Sequence, residues 1–181
     1  MAELEQAYSN ALWAWACVES ALAMVFFEVI SGDKSHWEPV SAAFFAVHSF
    51  EIRLTMVHAA AEIQWKKTPH LETWKKIRAE CDEQARQRGK IAHLSGTTFP
   101  PEKPHQQEIA ILTHSSLLHP LYPNTHGSAK NVGYDAKKLW QMTSRWRTLC
   151  EGIQSLALQS SRERLKKQQE AFDALRSDLS R

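Results

Sequence analysis

Apolar residues recur every three or four positions along most of this chain, and that period predicts a succession of helices. From about Glu3 to Ser31 the apolar positions cover more than one face, so the first helix should be central, with Gly32 as its stop. After a short turn at 33–38, a second helix is expected from near Pro39, a residue tolerated in a first helical turn. Its stripe runs through Phe44, Val47, Phe50, Leu54, Val57 and Ala61 to about Trp65, and Thr68-Pro69 ends it. The third helix takes Leu71 to about Leu94, with Trp74, Ile77, Cys81, Ala85 and Ile91 on its apolar side. Gly89 lies inside it at a cost of about 1 kcal/mol relative to Ala. A glycine kept there predicts a bend or the close approach of another backbone.

Residues 97–134 are of a different kind. They hold five of the seven prolines, four histidines and turn pairs such as Pro123-Asn124 and His126-Gly127. A structureless loop of that length is unusual in a compact domain, so Glu108–Thr113 and Lys130–Tyr134 are predicted to pair as a short ribbon. The last helix should start after Asp135, an apt cap, and continue through Leu139, Trp146, Leu149, Ile153 and Leu156. From Ser160 the pattern turns charged and amphipathic, with Leu165, Phe172 and Leu179 seven apart. That spacing fits a coiled-coil seam or a helix lying along the domain. The predicted fold is all-α: an up-and-down four-helix bundle with a short β-ribbon or irregular excursion between helices three and four. Residues 1–159 would form the bundle, and 160–181 a charged C-terminal helical extension.

Composition changes this picture little. At 181 residues the chain suits one domain with a sizeable core. Its three cysteines are far apart with no CxxC pair, as expected in a reducing cytoplasm. The start, MAELEQ, is acidic where a secretory leader would be basic. Ala11–Phe27 is apolar, but Glu19 and Glu28 break up the roughly 20-residue run that a membrane span needs, so a buried helix is expected instead. The net charge of +2 is unevenly spread. Residues 1–69 carry four Lys/Arg against eight Asp/Glu, whereas 70–98 carry six against four and 135–181 ten against six. The basic part can favour a polyanion.

Within that basic part stands EQARQRGKIAHLSG, residues 83–96, which puts Arg86, Arg88, Lys90 and His93 within about two turns of helix. Histidine suits proton transfer because its ordinary pKa of about 6.5 lies near neutral pH. Arginine suits a phosphate, since its planar fork stays charged and donates two hydrogen bonds at once. In an unbroken helix Arg88 and His93 would lie about 140° apart and Arg86 and His93 about 20° apart. Either Arg86 partners His93, or the helix bends near Gly89, or a second protomer completes the site. The same residues also have a reading without chemistry: a solvated cationic face and a helix-end histidine that complement the macrodipole. Arg53, in an otherwise apolar helix, would pair with Glu51 or with an acid of the first helix, or reach this site as a further cation. His105, His114, His119 and His126 lack metal-ligand spacing, and no phosphate loop or hydrolase motif is present, so neither metal nor cofactor is expected.

The block RGKIAH resembles the R-x4-6-H signature of the HEPN superfamily, most often spelled RN-x-x-x-H. The resemblance implies a small helical domain acting as a homodimer, its two motifs facing each other. It also implies metal-independent cleavage of RNA to a 2′,3′-cyclic phosphate and a 5′-hydroxyl. By that match Arg88 and His93 take the catalytic roles, with Arg86, Lys90 and Arg53 as further phosphate contacts. Arg86, followed by polar Gln87, fits the longer R-x6-H spelling. Such proteins serve as bacterial toxins or phage-defence effectors, which implies an antitoxin or another protein partner. The sequence departs from the pattern at Gly89, where asparagine is usual. A dimeric helical module that has kept the fold and lost catalysis is the alternative, binding a protein or nucleotide.

Overall fold

The computed structural model describes residues 2–32, 34–92, 95–99, 114–118 and 134–179. The chain is all-α in class, with five helices among the described residues: α1 (Ala2–Ile30), α2 (Trp37–Ala46), α3 (Phe50–Gln64), α4 (Pro69–Ala92) and α5 (Ala136–Leu179). A 3-10 turn, Lys34–His36, precedes α2. Two strands, β1 (Ser95–Phe99) and β2 (His114–Leu118), pair antiparallel with Thr97 opposite Ser116. The segments expected to pair lie elsewhere: 108–113 and 130–133 are outside the described residues.

The helix ends follow local chemistry. Gly32 adopts φ +62°, and its N–H and that of Ser31 both donate to the Phe27 carbonyl, closing α1. A Cβ at Gly32 would also collide with the Arg164 guanidinium, so both backbone and space call for glycine there. Asp135 Oδ1 accepts from the Lys138 N–H at 2.7 Å and caps α5. One expectation needs correction, because the second predicted helix is two. Val47 is extended, and Ser49 starts α3 by accepting from the Ile52 N–H at 3.4 Å. The apolar stripe passes over this break because Val47 and Phe50 keep its period while the backbone does not. The expected boundary at 159/160 falls inside the unbroken α5.

The chain divides into two compact units, residues 1–17 with 82–148 and residues 18–81 with 149–181. In the first, Trp15 and Trp146 meet edge to face at 5.2 Å, and the Trp146 indole N–H donates to the buried Gln84 Oε1 at 2.9 Å. In the second, Leu22, Phe44, Leu54, Trp74, Ile153 and Leu156 are fully buried. Two carboxylates of α1 enter that second core, and each meets an arginine. Arg53 donates to Glu19 at 2.7 Å and stacks over Phe44 and Phe45. Arg164 donates to both oxygens of Glu28, at 3.2 and 3.1 Å, and to the Gly32 carbonyl at 2.7 Å.

By length and composition α1 is apolar enough to cross a membrane, yet 56% of that apolar window is buried inside the fold, which is compatible with a soluble protein. Cys81 and Cys150 are buried, Cys17 is half-buried, and none of the three is in a disulfide.

Removing one partner from a buried pair strands the other charge. Arg164→Met should therefore lower unfolding free energy by about 3 kcal/mol in urea denaturation, and Arg164→Met with Glu28→Leu should recover part of that loss.

Candidate functional site

The cationic block sits on the last three turns of α4, in the first unit. Here the helix is fixed by residues pointing inward. Gln84 is buried beneath Trp146, Ile91 is fully buried, and half-buried Gln87 accepts from the Tyr134 hydroxyl at 3.3 Å. Burial pushes the Tyr134 phenol above its ordinary value.

Helical register separates the three cations. At about 100° per residue Arg88 lies only about 40° from Gln84 and about 60° from Ile91, on the line of the buried positions. Arg86 and Lys90 lie about 160° and 120° from Gln84, on the opposite side. All three side chains are exposed. Exposure is what a solvated face predicts for Arg86 and Lys90. For Arg88 it means that an exposed side chain stands between two buried positions of that line, Gln84 and Ile91.

Their partners differ as well. Arg86 donates to Glu83 Oε2 at 2.7 Å, one turn away. That hydrogen bond, then the bond from the Gln87 amide, then the Arg86 charge hold the Glu83 carboxyl below its usual range, and Glu83 in turn raises Arg86. Arg88 has no carboxylate partner among the described residues.

Gly89 corrects the sequence-based expectation. The helix continues through it to Ala92, and a Cβ there would meet no described atom within 4 Å. Among the described residues no close backbone approach explains it.

His93 follows the last residue of α4 and lies outside the described residues, as do His105, His119 and His126. The structure thus places Arg88, exposed, between buried Gln84 and Ile91, and its position relative to His93 lies outside the described residues. Arg53 belongs to the second unit, buried and paired with Glu19 on the first helix. Among the described residues no group of three His, Cys, Asp or Glu is placed to hold a metal.

Sequence reasoning missed a polar pocket of about 320 Å³ in the second unit, lined by Trp65, His70, Ser160, Glu163, Arg164 and Lys167. The Trp65 indole N–H donates to Ser160 Oγ at 2.9 Å, and that hydroxyl donates to Glu28 at 3.2 Å. His70 Nε2 lies 3.1 Å from Glu163 Oε2, near enough for charge pairing but off the axis of a hydrogen bond. Glu28, an acid inside an apolar run, was the one sequence signal of this network; its partners lie over 130 residues away.

No family model, no curated protein and no solved structure matches this chain.

Two measurements follow from this geometry. Gly89→Ala, a helix-interior change into open space, should raise unfolding free energy by about 0.5–1 kcal/mol. The Glu83 carboxyl, followed by NMR in an acid titration, should titrate below its ordinary range and return upward in Arg86→Ala. Because its folded value is depressed, the stabilisation from this pair is present above the ordinary carboxylate range and is lost as pH falls through the lowered value.

Proposed function

We propose that this chain is a cytoplasmic, homodimeric, metal-independent endoribonuclease of the HEPN type, built as a helical bundle. The observation that carries this reading is Arg88: an exposed guanidinium on the inward line of α4, unpaired by any described carboxylate, five residues before His93. A solvated helix face explains Arg86 and Lys90 and leaves Arg88 unexplained.

The chemistry needs no metal. The ribose 2′-oxygen attacks the adjacent phosphorus while an imidazole takes its proton, and the P–O5′ bond breaks as the leaving oxygen gains a proton. The products are a 2′,3′-cyclic phosphate and a 5′-hydroxyl. With two motifs facing each other, one His93 accepts and the other donates, and Arg88 neutralises charge on the phosphate oxygens. Arg86 is held by Glu83 and contributes attraction to RNA rather than catalysis, as does Lys90. A free nuclease of this kind would harm its host, so a masking protein partner completes the proposal.

Gly89 gives the second reading its footing. With open space beside it, no described group takes the place of the usual polar side chain, which fits a helical module that binds without cleaving.

RNA incubated with EDTA decides between them. His93→Ala should reduce cleavage by about 10²–10⁴-fold and Arg88→Ala by about 10²–10³-fold, while Arg86→Ala stays within a few-fold of wild type. Gly89→Asn should increase the rate. Cleavage that is equal in wild type and His93→Ala removes the nuclease and leaves the module.

A further inference from the structure

The polar pocket of the second unit carries hydrogen-bond donors that the fold leaves unused. Arg164 turns its Nε–Nη2 edge toward Glu28 and the Gly32 carbonyl, and its hydrogen bonds all leave from that edge. Its Nη1, with two N–H groups, has no partner among the described residues. Lys167, one turn further along α5, lines the same pocket, is exposed, and is likewise unpaired among them. His70, on α4, is only 7% exposed, and its Nε2 makes no hydrogen bond.

The backbone of α4 points the same way. That helix is 24 residues long, and Thr68 and His70, on either side of its first residue, both line the pocket. The positive pole of its dipole therefore lies at the pocket wall, where it favours a negative group.

Two carboxylates share the wall. Glu28 is neutralised by Arg164 and accepts from Ser160 as well, so its charge is spent inside the fold. Glu163 is different: its side chain is 57% exposed, and its Oε2 lies 3.1 Å from His70 Nε2 without making a hydrogen bond. It holds the place that an oxygen of a bound anion would take. As an exposed side chain in a weak pairing, it can turn into solvent at little cost.

We propose that this pocket binds a small phosphomonoester, with Arg164 Nη1, Lys167 Nζ and His70 Nε2 donating to its phosphate oxygens. A carboxylate offers two oxygens and one charge, whereas a phosphomonoester offers three oxygens and nearly two charges. The donors come from two helices and outnumber what a carboxylate can accept. A pocket of about 320 Å³ stands at the lower end of the roughly 300–1,000 Å³ usual for small-molecule sites. That is room for a phosphate and a body of sugar size, whose hydroxyls the Gln64 and Gln168 amides on the wall can meet. The proposal does not rest on the nuclease reading, since the pocket belongs to the second unit and Arg88 to the first.

Calorimetric titration of the full chain, in a buffer free of phosphate and sulfate, tests it with ribose 5-phosphate as the probe. Wild type should bind it with a Kd below about 1 mM, and at least about tenfold more tightly than inorganic phosphate, ribose or gluconate. Lys167→Ala and His70→Phe should each weaken binding by at least about fivefold, while Glu163→Gln, which removes the competing charge, should strengthen it. Lys167 and Glu163 are exposed, so their variants keep the fold and decide the matter should His70→Phe lose it. Absence of binding, equal binding of ribose or gluconate, or an affinity indifferent to both Lys167→Ala and Glu163→Gln overturns the proposal. Inorganic phosphate held as tightly as the ester overturns it too, leaving a bare anion site. Arg88→Ala should bind the probe as wild type does, so loss of cleavage and loss of this binding are read separately.

Discussion

Two carboxylates in an apolar helix are the constraint on which the second unit depends. Glu19 and Glu28 sit nine residues apart on α1, the first half-buried and the second buried. An ionised carboxylate left alone at Glu28 would cost several kcal/mol, and Glu19 a smaller amount, so each is met by a cation fixed in place. Arg53 and Arg164 do this from α3 and α5, 34 and 136 residues along the chain. Arg164 also donates to the carbonyl of Gly32, where the end of α1 presents unsatisfied acceptors and the negative pole of its dipole. One guanidinium thereby neutralises a buried acid and caps the helix that carries it. The same contact forbids a side chain at Gly32.

How much of this was legible beforehand depends on the range of the interaction. Gly32 and Asp135 could be read as a stop and a start because their effects are confined to the adjacent turn. The break at 47–49 could not, because a stripe at period three to four reports which side faces inward and not whether the backbone stays helical between. Val47 and Phe50 keep that stripe across an extended residue, and Ser49, the cap that marks the new start, is an ordinary serine in sequence. The charged pairs show the opposite limit. Arg53 was recognisable as needing an acid, with Glu51 and an acid of the first helix both open; only packing chooses Glu19. The Trp65–Ser160–Glu28–Arg164 network was invisible, since its members are polar residues of common type separated by most of the chain.

The candidate site was legible as a block and not as a geometry. Spacing alone favoured Arg86 as the partner of His93, and the family resemblance favoured Arg88. Structure adds two facts of a different kind. Glu83, a turn before, already holds Arg86, so that cation is committed within its own helix. Arg88 stands in register with Gln84 and Ile91, both buried, and yet is open to solvent.

That conjunction sets Arg88 apart from the cations on outward faces. Long cationic side chains cover helix surfaces in this protein, and several have an ordinary account: Lys75 bonds Glu72, Lys166 lies near Glu170, Arg147 rests over Trp13. Each lies on an outward face, where water costs nothing. A guanidinium on an inward line is different. Folding pressure at that position favours an apolar side chain that would extend the packing of Gln84 and Ile91, and arginine there forgoes that packing. In the proposed nuclease a phosphate would offset that forgone burial, because the planar two-donor fork that Arg164 closes on the carboxylate of Glu28 suits a phosphodiester equally.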